Sequence, residues 1–252
     1  MVAIAPVRIG TGEHKVLALH GWFGSATGWG WLPEVLDGDR FEWAFPDCRG
    51  YGTRRDVAGT YTIAEIAADA VAAADELGWD RFSLVGHSMG GSAVQRVLVE
   101  VPDRIRSLVG VSPVPASGVP FDEDAWALFA GAAGNDGNRR AIIDLTTGNR
   151  LSGAWLDRMV AFSVRESTRE AFGAYLLAWA KTDFSARLDG IGVPVKVIVG
   201  DHDPALGAAT MEQTVLRHLP DADLEVLSNA GHYAMFETPV ALVTSIEKFL
   251  SR

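Results

Sequence analysis

Ser88 stands at the centre of Gly86-His87-Ser88-Met89-Gly90, with a β-rich run before it and an amphipathic helical pattern after it. That setting suits a nucleophile. A sharp strand-to-helix turn strains the backbone of the central residue, and small residues two before and two after relieve the crowding. The turn also lifts the hydroxyl clear of the sheet, beside a helix N-terminus whose N–H groups favour negative charge. The pentapeptide by itself is weak evidence, because glycine-rich strand-to-helix turns are common; the flanking elements and the downstream partners supply the specificity.

A serine hydroxyl attacks efficiently only when a base takes its proton, and histidine titrates in the useful range. Six histidines are present, at 14, 20, 87, 202, 218 and 232. His232 lies between the last strand pattern and the last helix, at the strand ends where reactive groups gather in α/β sheets. His14 and His218 are expected on the surface, and the side chain of His87 should point away from that of Ser88. The imidazole needs a carboxylate to fix its tautomer. Gly200-Asp201-His202-Asp203-Pro204 offers two, and Asp203, further into the loop, is favoured over Asp201, which is placed to cap the turn. The chain order is then Ser, Asp, His.

Acyl transfer also needs donors aimed at the oxygen that becomes negative. The backbone N–H of Met89 is one candidate. The second is the N–H of Trp22 in His20-Gly21-Trp22-Phe23-Gly24, where glycines allow close backbone approach. The simpler reading of that loop is packing alone, with Trp22 and Phe23 as core aromatics.

Positioning these groups requires an α/β core. Strand patterns fall at 7–9 (an edge), 15–20, 41–46, 81–86, 105–111, 194–200 and 223–227. Helix patterns fall at 62–77, with Thr62 as N-cap and Glu65 in the capping-box position, and at 89–101, 208–219 and 239–250. Residues 122–186 read as helical throughout, apart from a loop-like stretch at 131–138. The expected architecture is therefore a core of 1–112 and 187–252 with a helical insertion at 113–186.

A chain of 252 residues can bury one sizeable core. Its formal charge of −10 argues against nucleic acid or an anionic membrane as partner. One cysteine, Cys48, no leader-like pattern in residues 1–10 and no apolar run of bilayer length lead to the expectation of a cytoplasmic location. No metal or cofactor is expected, since the His-x-Asp pairs do not make a metal site.

Taken together, His20-Gly21-Trp22, Asp47-Cys48-Arg49-Gly50-Tyr51-Gly52, Gly86 to Gly90, Gly200 to Asp203 and Ala230-Gly231-His232 closely resemble the α/β-hydrolase superfamily. The resemblance implies an α/β-hydrolase fold, with a mostly parallel central sheet flanked by helices and a helical cap inserted after strand 6. It also implies that Asp203 is the triad acid and Trp22 an oxyanion donor. Thr53 departs from the serine usual after Arg-Gly-x-Gly, a turn behind the site. A serine nucleophile excludes the aspartate-dependent dehalogenase and epoxide hydrolase branches.

The insertion bears on the substrate. Trp126, Phe129, Trp155, Phe162 and Trp179 are expected to line a pocket with Trp22, Phe23 and Tyr233, although aromatics at helical spacing commonly pack a cap onto its core. Arg150, Arg158, Arg165 and Arg169 could hold a substrate carboxylate but read better as a solvated face. The leading expectation is a carboxylic ester hydrolase acting on small to medium apolar or aromatic esters through an acyl-enzyme. The same triad could serve a C–C bond hydrolase, a lactonase or a cofactor-free perhydrolase, or persist in a ligand receptor.

Overall fold

The computed structural model describes residues 4–252, so 1–3 of the stretch read for a leader lie outside it. Among the described residues seven strands form one sheet: β1 (Val7–Ile9), β2 (His14–Leu19), β3 (Phe41–Phe45), β4 (Phe82–His87), β5 (Ile105–Val111), β6 (Val195–Gly200) and β7 (Asp223–Leu227). Their spatial order is β1-β3-β2-β4-β5-β6-β7, and only the β1–β3 pairing is antiparallel. Every residue of β3, β4 and β6 is buried, as expected for strands covered on both faces. The order reverses between β2 and β4, the point where α/β sheets open a crevice at their carboxyl ends. The loops after β2, β4, β6 and β7 all reach that edge.

Among the described residues eleven helices accompany the strands: α1 (Leu32–Val35), α2 (Ile63–Glu76), α3 (Met89–Glu100), α4 (Glu123–Gly131), α5 (Asp136–Thr146), α6 (Gly153–Glu166), α7 (Arg169–Lys181), α8 (Ala208–Gln213), α9 (Val215–His218), α10 (Ala234–Glu237) and α11 (Pro239–Leu250). Thr62 caps α2 as anticipated, its hydroxyl accepting from Glu65 N–H at 3.1 Å. The Glu65 carboxylate reaches further back than in a simple capping box, accepting from the N–H groups of Thr60 and Tyr61.

Three boundaries differ from expectation. The helical segment follows β5, the fifth strand of seven, and not a sixth strand. The loop expected at 131–138 shortens to 132–135, because the Asn135 side chain accepts from Gly137 and Asn138 N–H and starts α5 early. The helix expected at 208–219 breaks at Thr214, whose φ of −122° and ψ of −82° are not helical. No helix among the described residues is long and apolar enough to cross a membrane.

Candidate active site

Ser88 ends the β4 turn with φ 54° and ψ −118°, left-handed backbone that costs a non-glycine residue about 1–3 kcal/mol. The surroundings impose it. Ser88 N–H donates to Val111 O at 3.1 Å, and its carbonyl accepts from Gly91 and Val114 N–H at 2.8 and 2.9 Å. A Cβ on Gly90 would stand 2.1 Å from Leu19 O, and one on Gly86 would stand 2.4 Å from Gly90 O, so the turn closes only with glycine at both positions.

His232 Nδ1 lies 2.7 Å from Asp203 Oδ2, and both side chains are buried. The other Asp203 oxygen accepts from Ala205 and Leu206 N–H, each at 3.0 Å. Burial alone would raise this carboxyl. The imidazole beside it and these hydrogen bonds outweigh burial and hold it below the ordinary carboxylate range. Asp201 is exposed and accepts from Ala230 N–H at 3.2 Å, so it closes the turn and does not touch the ring of His232. With Nδ1–H given to Asp203, Nε2 of His232 is the nitrogen free to face Ser88, and both residues line one cavity. Among the described residues no hydrogen bond joins Ser88 to His232; such contacts commonly tighten only with substrate in place.

The remaining histidines sort differently from expectation in part. His87 does turn away from the cavity: its Nε2–H donates to His232 O at 2.8 Å, and burial pushes its pKa down to about 3. His20 is buried and accepts from Cys48 N–H through Nε2. His14 is half-buried, not on the surface; it bonds Ser83 Oγ at 2.8 Å, and burial lowers it to about 4. His218 is half-buried too, against Asp189.

The cavity is small, about 70 Å³. It is a narrow slot. Trp22, Phe23, Phe129, Trp179 and Tyr233 line it. Trp126, Trp155 and Phe162 do not. Trp126 packs on Phe121 and under Lys181, Trp155 on Tyr233 and Phe236, and Phe162 closes over Gly28. Their helical spacing reported packing between helices, the bland reading of such aromatics. Val114, Val119, Phe121, Ile142, Thr146, Ala205 and Leu206 complete the wall without having been anticipated. The last two lie two and three residues after Asp203, a signal the sequence did offer. Among the described residues, no Asp, Glu, Lys or Arg side chain lines the slot. Arg150, read as solvated, is half-buried instead, donating to Asn229 O and paired with Glu237.

Of the two expected oxyanion donors, Trp22 lines the cavity and Met89 is not among its lining residues. Met89 N–H is the first of α3 and so lacks an intrahelical partner, and Trp22 N–H makes no hydrogen bond among the described residues. Thr53, which stands where the resemblance implied a serine, donates through its N–H and hydroxyl to Asp47 Oδ2, while Asp47 Oδ1 accepts from Ala26 N–H. Among the described residues no group of three or more His, Cys, Asp or Glu side chains is arranged to hold a metal ion.

The sequence model of the alpha/beta hydrolase fold matches residues 15–239. The chain belongs to that family. Among curated relatives, it is 26% identical over 211 residues to 3-oxoadipate enol-lactonase 2 of Acinetobacter baylyi, covering 82% of this chain and 77% of the relative. It is 27% identical over 260 residues to 2-hydroxy-6-oxononadienedioate/2-hydroxy-6-oxononatrienedioate hydrolase of Burkholderia vietnamiensis, covering 96% and 89%. Among solved structures, a thermophilic esterase from Thermogutta terrifontis superposes with a TM-score of 0.83 at 24% identity, over 98% of this chain and 92% of that one. At such identities these α/β-hydrolase relatives fix the architecture and leave the substrate to the site itself.

Proposed function

We propose that this α/β-hydrolase cleaves uncharged carboxylic esters of small to medium apolar acyl groups through an acyl-enzyme. Ser88 is the nucleophile, His232 the base and then the acid, and Asp203 the group that holds the imidazole. The observation that carries the reading is the strained Ser88 at the head of α3 sharing one apolar slot with an Asp203-bonded His232.

Ser88 Oγ attacks the ester carbonyl as His232 Nε2 takes its proton. The carbonyl oxygen becomes an oxyanion, received by the N–H groups of Met89 and Trp22. Collapse expels the alcohol, which leaves with the proton from His232. A water, activated by the same imidazole, then releases the acid.

Among the described residues no Lys or Arg lines the slot to pair with a substrate carboxylate, and burying an unpaired charge costs several kcal/mol. That weighs towards neutral esters, and cyclic esters remain open to the same residues. It weighs against the dioate named for the Burkholderia vietnamiensis relative.

The test is release of p-nitrophenol from esters of increasing chain length, beside the Ser88→Ala variant. Fast, serine-dependent release with a clear length optimum supports the reading. Release that survives Ser88→Ala, or none from any ester, contradicts it.

A further inference from the structure

Arg139 lies in the first turn of α5 with 3% exposure, yet it forms no ion pair with any carboxylate among the described residues. Its guanidinium donates to neutral partners through two of its three nitrogens. Nε donates to Ala132 O at 3.0 Å, at the end of α4, and Nη1 donates to Ser163 Oγ of α6 at 3.0 Å and to Ser167 Oγ at 3.4 Å. An apolar side chain could join these helices without the desolvation cost of a buried charge.

What the charge does is visible one layer on. The guanidinium carbon stands 3.6 Å from the centre of the Phe172 ring. The Trp22 indole stacks on that same ring at 4.0 Å and 19°. Two groups so close to one ring must occupy its opposite faces. Trp22 Nε1–H further donates to Phe172 O at 2.7 Å, and Tyr51 OH donates to Trp22 O at 2.9 Å. Trp22 is thus fixed through its ring, its indole N–H and its carbonyl, and only its peptide N–H is left for a ligand.

We propose that Arg139 is a positioning residue for the oxyanion site, acting through the stack Arg139–Phe172–Trp22 to hold the Trp22 N–H at the angle the tetrahedral oxygen requires. This rests on the reading of Trp22 as an oxyanion donor. A guanidinium suits the task because it is planar, stacks on aromatic faces and keeps its charge when buried. The inserted helices therefore tune the chemical step as well as the walls of the slot.

The test measures kcat and KM for a p-nitrophenyl ester, and the inhibition constant of a boronic acid that forms a tetrahedral adduct on serine. The variants are Arg139→Met, Phe172→Leu and the pair combined. Each single change should lower kcat about tenfold with KM within about twofold, and weaken the boronate by the factor lost in kcat/KM. The double variant should be no worse than the poorer single, because both act through one stack. Additive losses, or a rise in KM alone, would overturn the proposal. Should Arg139→Met fail to fold, Arg139→Lys keeps the charge without the plane and should show the same loss of kcat; lysine at full kcat would overturn it. If wild-type protein neither turns over ester nor binds boronate, the oxyanion reading itself falls. If wild type does both and the variants match it, only the role of Arg139 falls.

Discussion

Asp203 Oδ2 and His232 Nδ1 meet at 2.7 Å in a buried setting, while the neighbouring carboxylate of Asp201 faces solvent. Asp203→Asn preserves shape but reverses the hydrogen-bonding preference at Nδ1 and so favours the wrong tautomer. It should lower kcat by about 10⁴. Asp201→Asn loses only a turn contact and should change kcat less than about tenfold. Steady-state kinetics of the two variants decide the matter; the reverse ranking would move the acid to Asp201.

How well this pair could be foreseen depended on backbone and spacing. The strand-to-helix turn at Ser88, the loop after β6 and the loop after β7 each carry glycine and a reactive side chain at fixed offsets, and topology then brings them to one edge. The strands β4 and β6, buried along their whole length, are mostly apolar runs that announce themselves. The slot was less legible. Trp155 and Phe162 sit at the same helical spacing as Phe129, and only the relative rotation of α4, α6 and the sheet decides which ring faces Ser88. Nor does spacing disclose Asn135 as the cap that starts α5, since it lies inside a run of small polar residues. Arg139 was invisible for a related reason: an arginine in a polar stretch reads as solvated until three helices close around it.

His87 should make the fold sensitive to acid. Burial lowers its folded pKa to about 3, well below the ordinary value near 6.5, so the unfolded chain takes up the proton first. The stability is fully present above pH 6.5 and is lost as pH falls from there towards 3. The slope is about 1.4 kcal/mol per pH unit for this one proton. Denaturant unfolding between pH 7 and 4 checks it. His87→Gln should flatten the slope without abolishing it, because burial lowers His20 and His14 too. An unchanged slope would contradict the assignment.

The elbow tolerates no side chain at Gly90. Gly90→Ala drives a methyl to 2.1 Å from Leu19 O, a backbone atom that cannot swing aside. Thermal or denaturant unfolding should show a loss of about 1–3 kcal/mol, with ester turnover falling further as Ser88 shifts. A variant of wild-type stability would mean that the turn is looser than its contacts imply.

Charge should decide among substrates of equal size. A half-ester carrying a free carboxylate must bury it against Val119, Phe121 and Phe129 with no counter-charge. Its kcat/KM should fall at least about 10² below that of the matching neutral ester. Comparable values for the pair would show that a cation reaches the slot from outside its present walls.

The most direct measurement is intact-mass and peptide mapping after reaction with phenylmethylsulfonyl fluoride, which transfers its sulfonyl group to an activated serine. The account predicts one adduct, on the peptide bearing Ser88, absent from Ser88→Ala and formed at least about 10²-fold more slowly by His232→Ala. An unlabelled wild-type protein, or an adduct on any other residue, would contradict it.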